Sequence, residues 1–225
     1  MRFTIRVRVA VRFLSAVFTF ALLLVPATHL HAQITATAPI TEQPEYSNRW
    51  DVYGGAAYSH FNPGPGKGVQ AINLLGWNGS AIAYFRPTWG IEASARGYYG
   101  DMDVPQNGLG VPAKAAMSEH LFLFGPNFRF LRTPKYAAGM HVLIGAAYGS
   151  FDKDFPQGIQ PIQVAIYNNK LAFGAVIGAY GDYNLSPKWA VRLIADYQPT
   201  RYGYSTQNEF AGSIGVVYKI GSLHK

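Results

Sequence analysis

The chain of 225 residues has no cysteine, which excludes disulfide bonds, thiol chemistry and cysteine-ligated metal sites. After residue 32 it also lacks any apolar run near the roughly 18 residues that a membrane-spanning helix requires. Any residence in a membrane must therefore be through β-strands. No glycine-rich phosphate-binding loop leads into a helix, so the sequence gives no indication of a nucleotide site.

Acidic residues are fewer than basic ones, but most of the imbalance lies in the first 32 residues. The formal charge of +7 comes from 19 Lys and Arg against 12 Asp and Glu. Four of the basic residues and none of the acidic ones precede Gln33, so the remainder carries 15 against 12, or +3. A surplus this small argues against a surface for nucleic acid.

The first 32 residues have the pattern of a secretory signal peptide. Four arginines precede Phe13–Val25, an apolar core too short to span a bilayer, and Ala32 offers a small residue at the cleavage point. An uncleaved membrane anchor is the alternative. Residues 33–48 are rich in Thr, Pro and Ala and are predicted to form a flexible periplasmic leader. Residues 49–221 are predicted to form the folded domain, and residues 222–225 a tail.

Eight segments alternate with the period of two residues that is typical of a β-strand. Short connections that hold a proline alternate strictly with longer loops rich in Gly, Pro, Asn and Gln. Outer-membrane barrels have this arrangement, with tight periplasmic turns and long outer loops. The predicted strands are Arg49–Ser59, Trp77–Arg86, Ile91–Tyr99, Ser118–Phe130, Ala138–Gly149, Lys170–Tyr183, Trp189–Gln198 and Asn208–Ile220.

In seven of these segments, one of the two faces carries no Asp, Glu, Lys or Arg. In the last segment Phe210, Ile214 and Tyr218 share that face, whereas Glu209 and Lys219 share the other. An apolar outside suits a barrel in lipid, where a cation at mid-bilayer would cost about 2–4 kcal/mol. We therefore predict an all-β fold, an eight-stranded antiparallel transmembrane up-and-down β-barrel. A soluble barrel with the apolar face inward is the alternative.

Aromatic residues gather where the apolar faces end, as expected for rings at the two headgroup levels of a membrane. The predicted girdles are Trp50, Trp89, Phe130, Tyr136, Tyr183, Trp189 and Tyr218 at the periplasmic edge, and Tyr58, Tyr99, Tyr148 and Tyr197 at the opposite edge.

The polar face carries six acids and five bases, and buried ions need partners. The interior of an eight-stranded barrel is roughly filled by its own side chains. We therefore expect the lumen to be closed by ion pairs, with His141 as part of the polar filling. The predicted network is Asp51, Glu92, Arg96, Glu119, Arg129, Asp182, Arg192, Asp196, Glu209 and Lys219, and Lys170 lies on the same face.

Two details of the barrel are ambiguous. In Trp77–Arg86, either Ile82 and Tyr84 or the alternate positions Ala81, Ala83 and Phe85 could face lipid, and we favour the first phase. The segment Ile159–Tyr167 could form an extra hairpin, so ten strands is the main alternative count.

Five segments of the predicted barrel have a familiar sequence pattern: Gly76–Gly79, Leu123–Phe128, Gly178–Ser186, Ala190–Leu193 and Ala195–Tyr197. They resemble the small outer-membrane β-barrel family related to the OmpA transmembrane domain, and the resemblance covers about Arg49–Gly221. It implies an eight-stranded barrel that the outer-membrane assembly machinery inserts from the periplasm. That machinery reads a last strand ending in an aromatic residue, and Tyr218-Lys219-Ile220 matches this signal loosely because Gly221–Lys225 follow.

Some small outer-membrane barrels are enzymes that modify lipid A with Ser and His near the outer rim. Here Ser118 and His120 share a face, but Glu119 lies on the other, and Ser59 and His60 also point to opposite faces. We therefore predict no catalytic site. Pairs of aspartates in the outer loops lack the further ligands of a calcium loop, so we predict neither a metal site nor a cofactor.

These observations predict an integral protein of the bacterial outer membrane, exported by its signal peptide, with a role in surface contact, adhesion or envelope integrity. The outer loops would carry that role. A small pore is the alternative, and a lipid A acyl hydrolase is a more distant one. The expected partners are outer-membrane lipid and lipopolysaccharide, the assembly machinery during insertion and a contact of the outer loops.

Overall fold

A computed structural model of the protein describes residues 47–64, 70–105, 108–168, 170–203 and 206–223. The predicted signal peptide and most of the predicted leader lie outside the described residues. Residues 224–225 of the predicted tail also lie outside them.

The described residues form one closed barrel of eight antiparallel strands, each paired with its neighbours in sequence, and β1 pairs with β8. This confirms the predicted fold class and strand count. The strands are β1 (Trp50–Phe61), β2 (Ile72–Arg86), β3 (Trp89–Asp103), β4 (Lys114–Arg132), β5 (Tyr136–Ser150), β6 (Lys170–Asn184), β7 (Trp189–Arg201) and β8 (Gln207–Ile220).

The two ends of the barrel differ in their connections. At one end, which we call the turn end, β2–β3, β4–β5 and β6–β7 are joined by two to four residues, and β1 begins and β8 ends. At the other, the loop end, the connections are longer. Register shifts occur at the turn end, at Tyr84/Arg86 and at Arg129/Leu131. The second shift leaves Phe130 and Leu131 both on the outside.

Most strands extend beyond their predicted bounds, chiefly toward the loop end. On β3, exposed apolar residues run from Trp89 to Tyr99, and four further residues, Gly100–Asp103, continue the strand. Ten residue steps on a tilted strand cover roughly 25 Å, the height of the apolar band of a membrane barrel. The barrel wall therefore continues past the apolar belt at the loop end.

The phase predicted for the second strand is wrong. Ile82 and Tyr84 are 0% and 1% exposed and face the lumen, whereas Phe85 is 67% exposed. Ile82 pairs with Asp51 on β1 and with Glu92 on β3, and residues directly opposite each other share a face. Tyr84 is needed inside because its hydroxyl donates a hydrogen bond to Asp51.

The described residues of the connection between β5 and β6 contain a 3₁₀ helix, Pro161–Val164, and no hairpin. The alternative of ten strands is therefore wrong. In the part of the chain that the structure describes, no helix is long and apolar enough to cross a bilayer.

Candidate functional site

The lumen holds ten of the eleven charged residues that the sequence predicts on the polar face, and each of the ten is at most 6% exposed. The side chain of Lys170 lies outside what the structure describes. From the turn end to the loop end, the charged groups form three layers. The turn layer is Asp51, Arg129, Asp182, Arg192 and Lys219; the middle layer is Glu92, Arg96, His141 and Asp196; the loop layer is Glu119 and Glu209.

Arg192 organises the turn layer. Its guanidinium donates two hydrogen bonds to Asp182, Nε to Oδ1 at 2.7 Å and Nη2 to Oδ2 at 2.9 Å. Nη2 also donates to Oδ2 of Asp51 at 2.7 Å. The guanidinium carbon lies 4.1 Å from the centre of the Tyr180 ring, which adds a cation–π contact. One arginine thus ties β1, β6 and β7 together across the lumen.

The other two cations of the turn layer have neutral groups among their contacts. Arg129 lies over the ring of Tyr84, 3.9 Å from its centre, and donates to the carbonyl of Pro87 at 3.2 Å and to Oδ1 of Asn48 at 2.9 Å. Lys219 donates to Oδ1 of Asn184. The layer therefore has three cations against two carboxylates.

The middle layer is a chain of charges centred on His141. The Nδ1 atom of His141 lies 3.0 Å from Oε2 of Glu92, and Nε2 lies 2.9 Å from Oδ1 of Asp196. Carboxylates only accept hydrogen bonds, so both ring nitrogens must carry hydrogen to satisfy both partners. Arg96 donates to Oδ2 of Asp196 at 2.6 Å. Two cations then balance two anions.

Gly178 on β6 makes the middle layer possible. A Cβ atom at this position would collide with the carboxylate of Asp196, which packs directly against the β6 backbone. This glycine is therefore a positioning residue for Asp196. Its role depends on a contact between strands, which the sequence pattern alone does not reveal.

The loop layer holds two carboxylates that no described cation contacts. Glu119 and Glu209 are both 0% exposed and interact with each other. Glu209 accepts hydrogen bonds from Thr200 Oγ1 at 2.6 Å and Gln198 Nε2 at 2.9 Å. Tyr202, from the β7–β8 connection, donates to Glu119 at 2.8 Å. Burial and the nearby Glu119 carboxylate raise the pKa of Tyr202, which keeps this phenol a donor.

Toward the loop end, the lumen is filled by apolar side chains, which the sequence-based expectation of ion pairs throughout did not include. Phe61 on β1 stacks on Phe151, with ring centres 5.9 Å apart, and Tyr202 meets both rings edge-on. Val164 and Ile166 from the β5–β6 connection are buried in the same cluster. Inward residues at the loop ends of β1, β2, β3 and β4 are apolar, namely Phe61, Leu74, Met102 and Ala115, so this side of the lumen is packed like the core of a soluble protein.

The predicted girdle residues lie on the outside of the barrel. Tyr218 is half-buried because it packs on Trp189, with ring centres 4.6 Å apart. The other ten predicted girdle residues are between 37% and 57% exposed: Trp50, Tyr58, Trp89, Tyr99, Phe130, Tyr136, Tyr148, Tyr183, Trp189 and Tyr197.

The Ser and His residues of the loop end are not assembled into a catalytic set. His120 lies outside, with Nε2 3.1 Å from the hydroxyl of Tyr99, whereas Glu119 faces the lumen. Ser59 donates to Glu209 inside, and His60 contacts Asn73 outside. Among the described residues, no group of three or more His, Asp or Glu side chains could hold a metal ion.

The aspartates of the outer loops make local contacts. Asp103 lies 3.7 Å from Lys114 across the β3–β4 connection. Asp154 accepts a hydrogen bond from the backbone nitrogen of Ala116 at 2.7 Å, which ties the β5–β6 connection to β4.

The barrel as a whole has an apolar exterior between two aromatic girdles and a charged interior. This distribution is that of a barrel that spans an outer membrane, because lipid-facing strands exclude charge and a closed sheet leaves no backbone edge in hydrocarbon. The loop-end wall and its apolar filling lie beyond that belt.

No protein-family model matches the chain, and no curated protein matches it. Solved structures do. Ail, the attachment invasion locus protein of Yersinia pestis, in complex with the heparin analogue sucrose octasulfate, is 16% identical with a TM-score of 0.51, covering 76% of this chain and 97% of that one. The outer membrane protein OprG from Pseudomonas aeruginosa is 15% identical with a TM-score of 0.53, covering 80% and 99%. These likenesses show the fold that the family resemblance implied.

Proposed function

We propose that this chain is a closed barrel of the bacterial outer membrane, with its turn end toward the periplasm and a non-enzymatic role in envelope integrity and surface contact. The observation that carries the proposal is the filled lumen. The turn layer and the middle layer of charged side chains are followed by a layer of carboxylates and an apolar cluster, so buried side chains succeed one another along the lumen from the turn end to the loop end.

Transport through such a lumen would require several contacts to break together. Arg192 would have to leave both Asp182 and Asp51, which leaves buried charges without partners at a cost of several kcal/mol. The aromatic contact of Phe61, Phe151 and Tyr202 would also have to open. A static barrel is the arrangement that these contacts favour.

The loop end is the surface left for contacts outside the cell. The described part of the β5–β6 connection is held against the barrel, since Val164 and Ile166 are buried and Asp154 accepts a hydrogen bond from the backbone of Ala116 on β4. Its described exterior charges are mixed, with four aspartates at 101, 103, 152 and 154 against Lys114, Lys153 and Arg201. A polysulfated ligand like the one bound to Ail needs concentrated cations. We therefore propose that the partner contacted by the loop end is not a polyanion.

Recording ionic current across planar bilayers tests the closed lumen. Purified, refolded protein is expected to give no steady conductance, and its heat-dependent shift on a gel serves as the control that it has folded. Stable, voltage-independent current steps from folded protein would contradict the proposal and favour a small pore.

A further inference from the structure

The exterior charges of the barrel are distributed unequally between its ends. Among the described residues, every acidic side chain outside the lumen lies at the loop end. The turn end has no acidic side chain on its described exterior. It carries five bases, of which Arg49, Arg86, Lys135 and Lys188 are exposed and Arg132 is half-buried.

The four exposed bases, which we call the turn-end cations, are spread around the rim. Arg49 precedes β1, Arg86 ends β2, Lys135 lies between β4 and β5, and Lys188 lies between β6 and β7. None of the four forms an ion pair with a described residue. They therefore surround the barrel with charge that its own described side chains leave uncompensated.

Each turn-end cation lies beside a residue of the aromatic girdle. Arg49 precedes Trp50, Lys188 precedes Trp189, and Arg86 pairs with Trp89 in the β2–β3 ladder. The fourth, Lys135, places its Nζ atom 5.9 Å and 5.7 Å from the ring centres of Tyr136 and Tyr183. Interfacial aromatic residues mark the headgroup level, so these cations lie at the depth of lipid phosphates.

The interior of the same end adds positive charge. In the turn layer, Arg129, Arg192 and Lys219 face Asp51 and Asp182. The excess cation lies in a low-dielectric interior, where its field is less screened than in water. The rim and the lumen therefore both contribute positive charge to the turn end of the barrel.

We propose that the turn-end cations bind the headgroups of net-anionic phospholipids and enrich these lipids in the first shell around the barrel at its turn end. Arginine and lysine both pair with phosphate oxygens, arginine through its planar fork and lysine as a point charge. The partner is a lipid headgroup because the cations lie at girdle depth around the whole circumference, where bilayer surrounds the barrel. This inference rests on the membrane placement of the proposed function.

Tryptophan quenching by brominated lipids tests the inference. The chain has four tryptophans, and Trp77→Phe leaves Trp50, Trp89 and Trp189, all at the turn end. This variant is inserted into phosphatidylcholine vesicles that contain about 20 mol% of either brominated phosphatidylglycerol or brominated phosphatidylcholine. We expect brominated phosphatidylglycerol to quench roughly twofold more strongly at low salt, and the difference to shrink in about 0.5 M salt.

Two further variants in the same background locate the effect. Replacing Arg49, Arg86, Lys135 and Lys188 with Gln is expected to abolish the preference for phosphatidylglycerol. The matched control replaces Lys114, Lys153 and Arg201 at the loop end with Gln and is expected to retain it. Equal quenching by the two lipids, or a preference lost only in the control, would overturn the inference. Absence of quenching by both lipids would contradict the membrane placement itself.

Discussion

At the residue scale, His141 is the group on which the balance of the middle layer depends. It lies between Glu92 and Asp196, and it converts a pair of buried carboxylates into a bridged chain. The sequence predicts His141 as part of the polar filling, but the five bases of that face include only Lys and Arg. Its place on the luminal parity, between two strands that carry acids inward, is the signal that could have identified it.

Replacing His141 with Ala is expected to lower the free energy of unfolding by about 3–5 kcal/mol, because it leaves a buried carboxylate without its charged partner. The measurement is urea unfolding of the barrel in lipid vesicles, followed by tryptophan fluorescence. His120→Ala is the control, since the side-chain contact described for His120 is with Tyr99 on the outside, and we expect a loss below about 1 kcal/mol. Equal losses in the two variants would show that His141 does not bridge the carboxylates.

In the loop layer, by contrast, removing a charge is expected to raise the free energy of unfolding. Glu119 and Glu209 are buried together without a described cation, so the two charges repel each other. Either Glu119→Gln or Glu209→Gln is expected to raise the unfolding free energy by about 1 kcal/mol or more. The double substitution should gain less than the sum, because the first one already removes the repulsion.

Glu92→Gln is the matched control for that pair. Glu92 receives hydrogen bonds from both His141 and Asn127, so removing its charge should destabilise the barrel. The same urea series measures all four variants. A loss in Glu119→Gln as large as that in Glu92→Gln would contradict the description of the loop layer.

At the scale of the element, β2 shows where alternation alone is insufficient. Six strands carry luminal charges that fix their phase, and β5 carries His141 on its luminal face, whereas the predicted part of β2 has only Arg86, at its end. The predicted phase places Ile82 and Tyr84 on the lipid-facing side. Polar Asn78 and Ser80 share their face and also point inward, so the polar residues held the better signal.

The phase of β2 can be tested with a charge at Ala81. This residue faces outward within the apolar belt, so Ala81→Lys is expected to lower the unfolding free energy by about 2–4 kcal/mol. The comparison is Ile162→Lys in the β5–β6 connection, where the side chain is 52% exposed and the change should be near zero. If Ala81→Lys were tolerated as well as Ile162→Lys, the outward assignment of this face would be incorrect.

The strand ends and connections were less predictable than the strand centres. Beyond Tyr99, for example, Gly100–Asp103 carry two acids and read as a loop, yet they extend β3 by pairing with β4. Pairing between neighbouring strands stabilises this extension, and the sequence of one strand does not encode it. Likewise, Tyr202 lies in a loop by pattern but reaches the lumen to bind Glu119.

At the scale of the whole molecule, the closed eight-stranded barrel followed from the sequence because its evidence is repeated in every strand. An absence of charge on one face and a regular order of connections accumulate over the chain. The filling of the lumen depends instead on which side chains meet across it, as Arg192 meets Asp51 and Phe61 meets Phe151. Such contacts depend on the register between neighbouring strands all the way around the barrel. The sequence does not show this register, and the three-dimensional structure does.

The central claim is that hydrocarbon contacts the uncharged face, and spin labels on single cysteines test it most directly. The chain has no cysteine, so Ile144→Cys and Ile177→Cys on the belt and Ile162→Cys at the loop end each give one labelled site. In vesicles, collisions with oxygen should dominate at 144 and 177, and collisions with a water-soluble nickel complex should dominate at 162. Belt labels as accessible to nickel as the label at 162 would contradict the account.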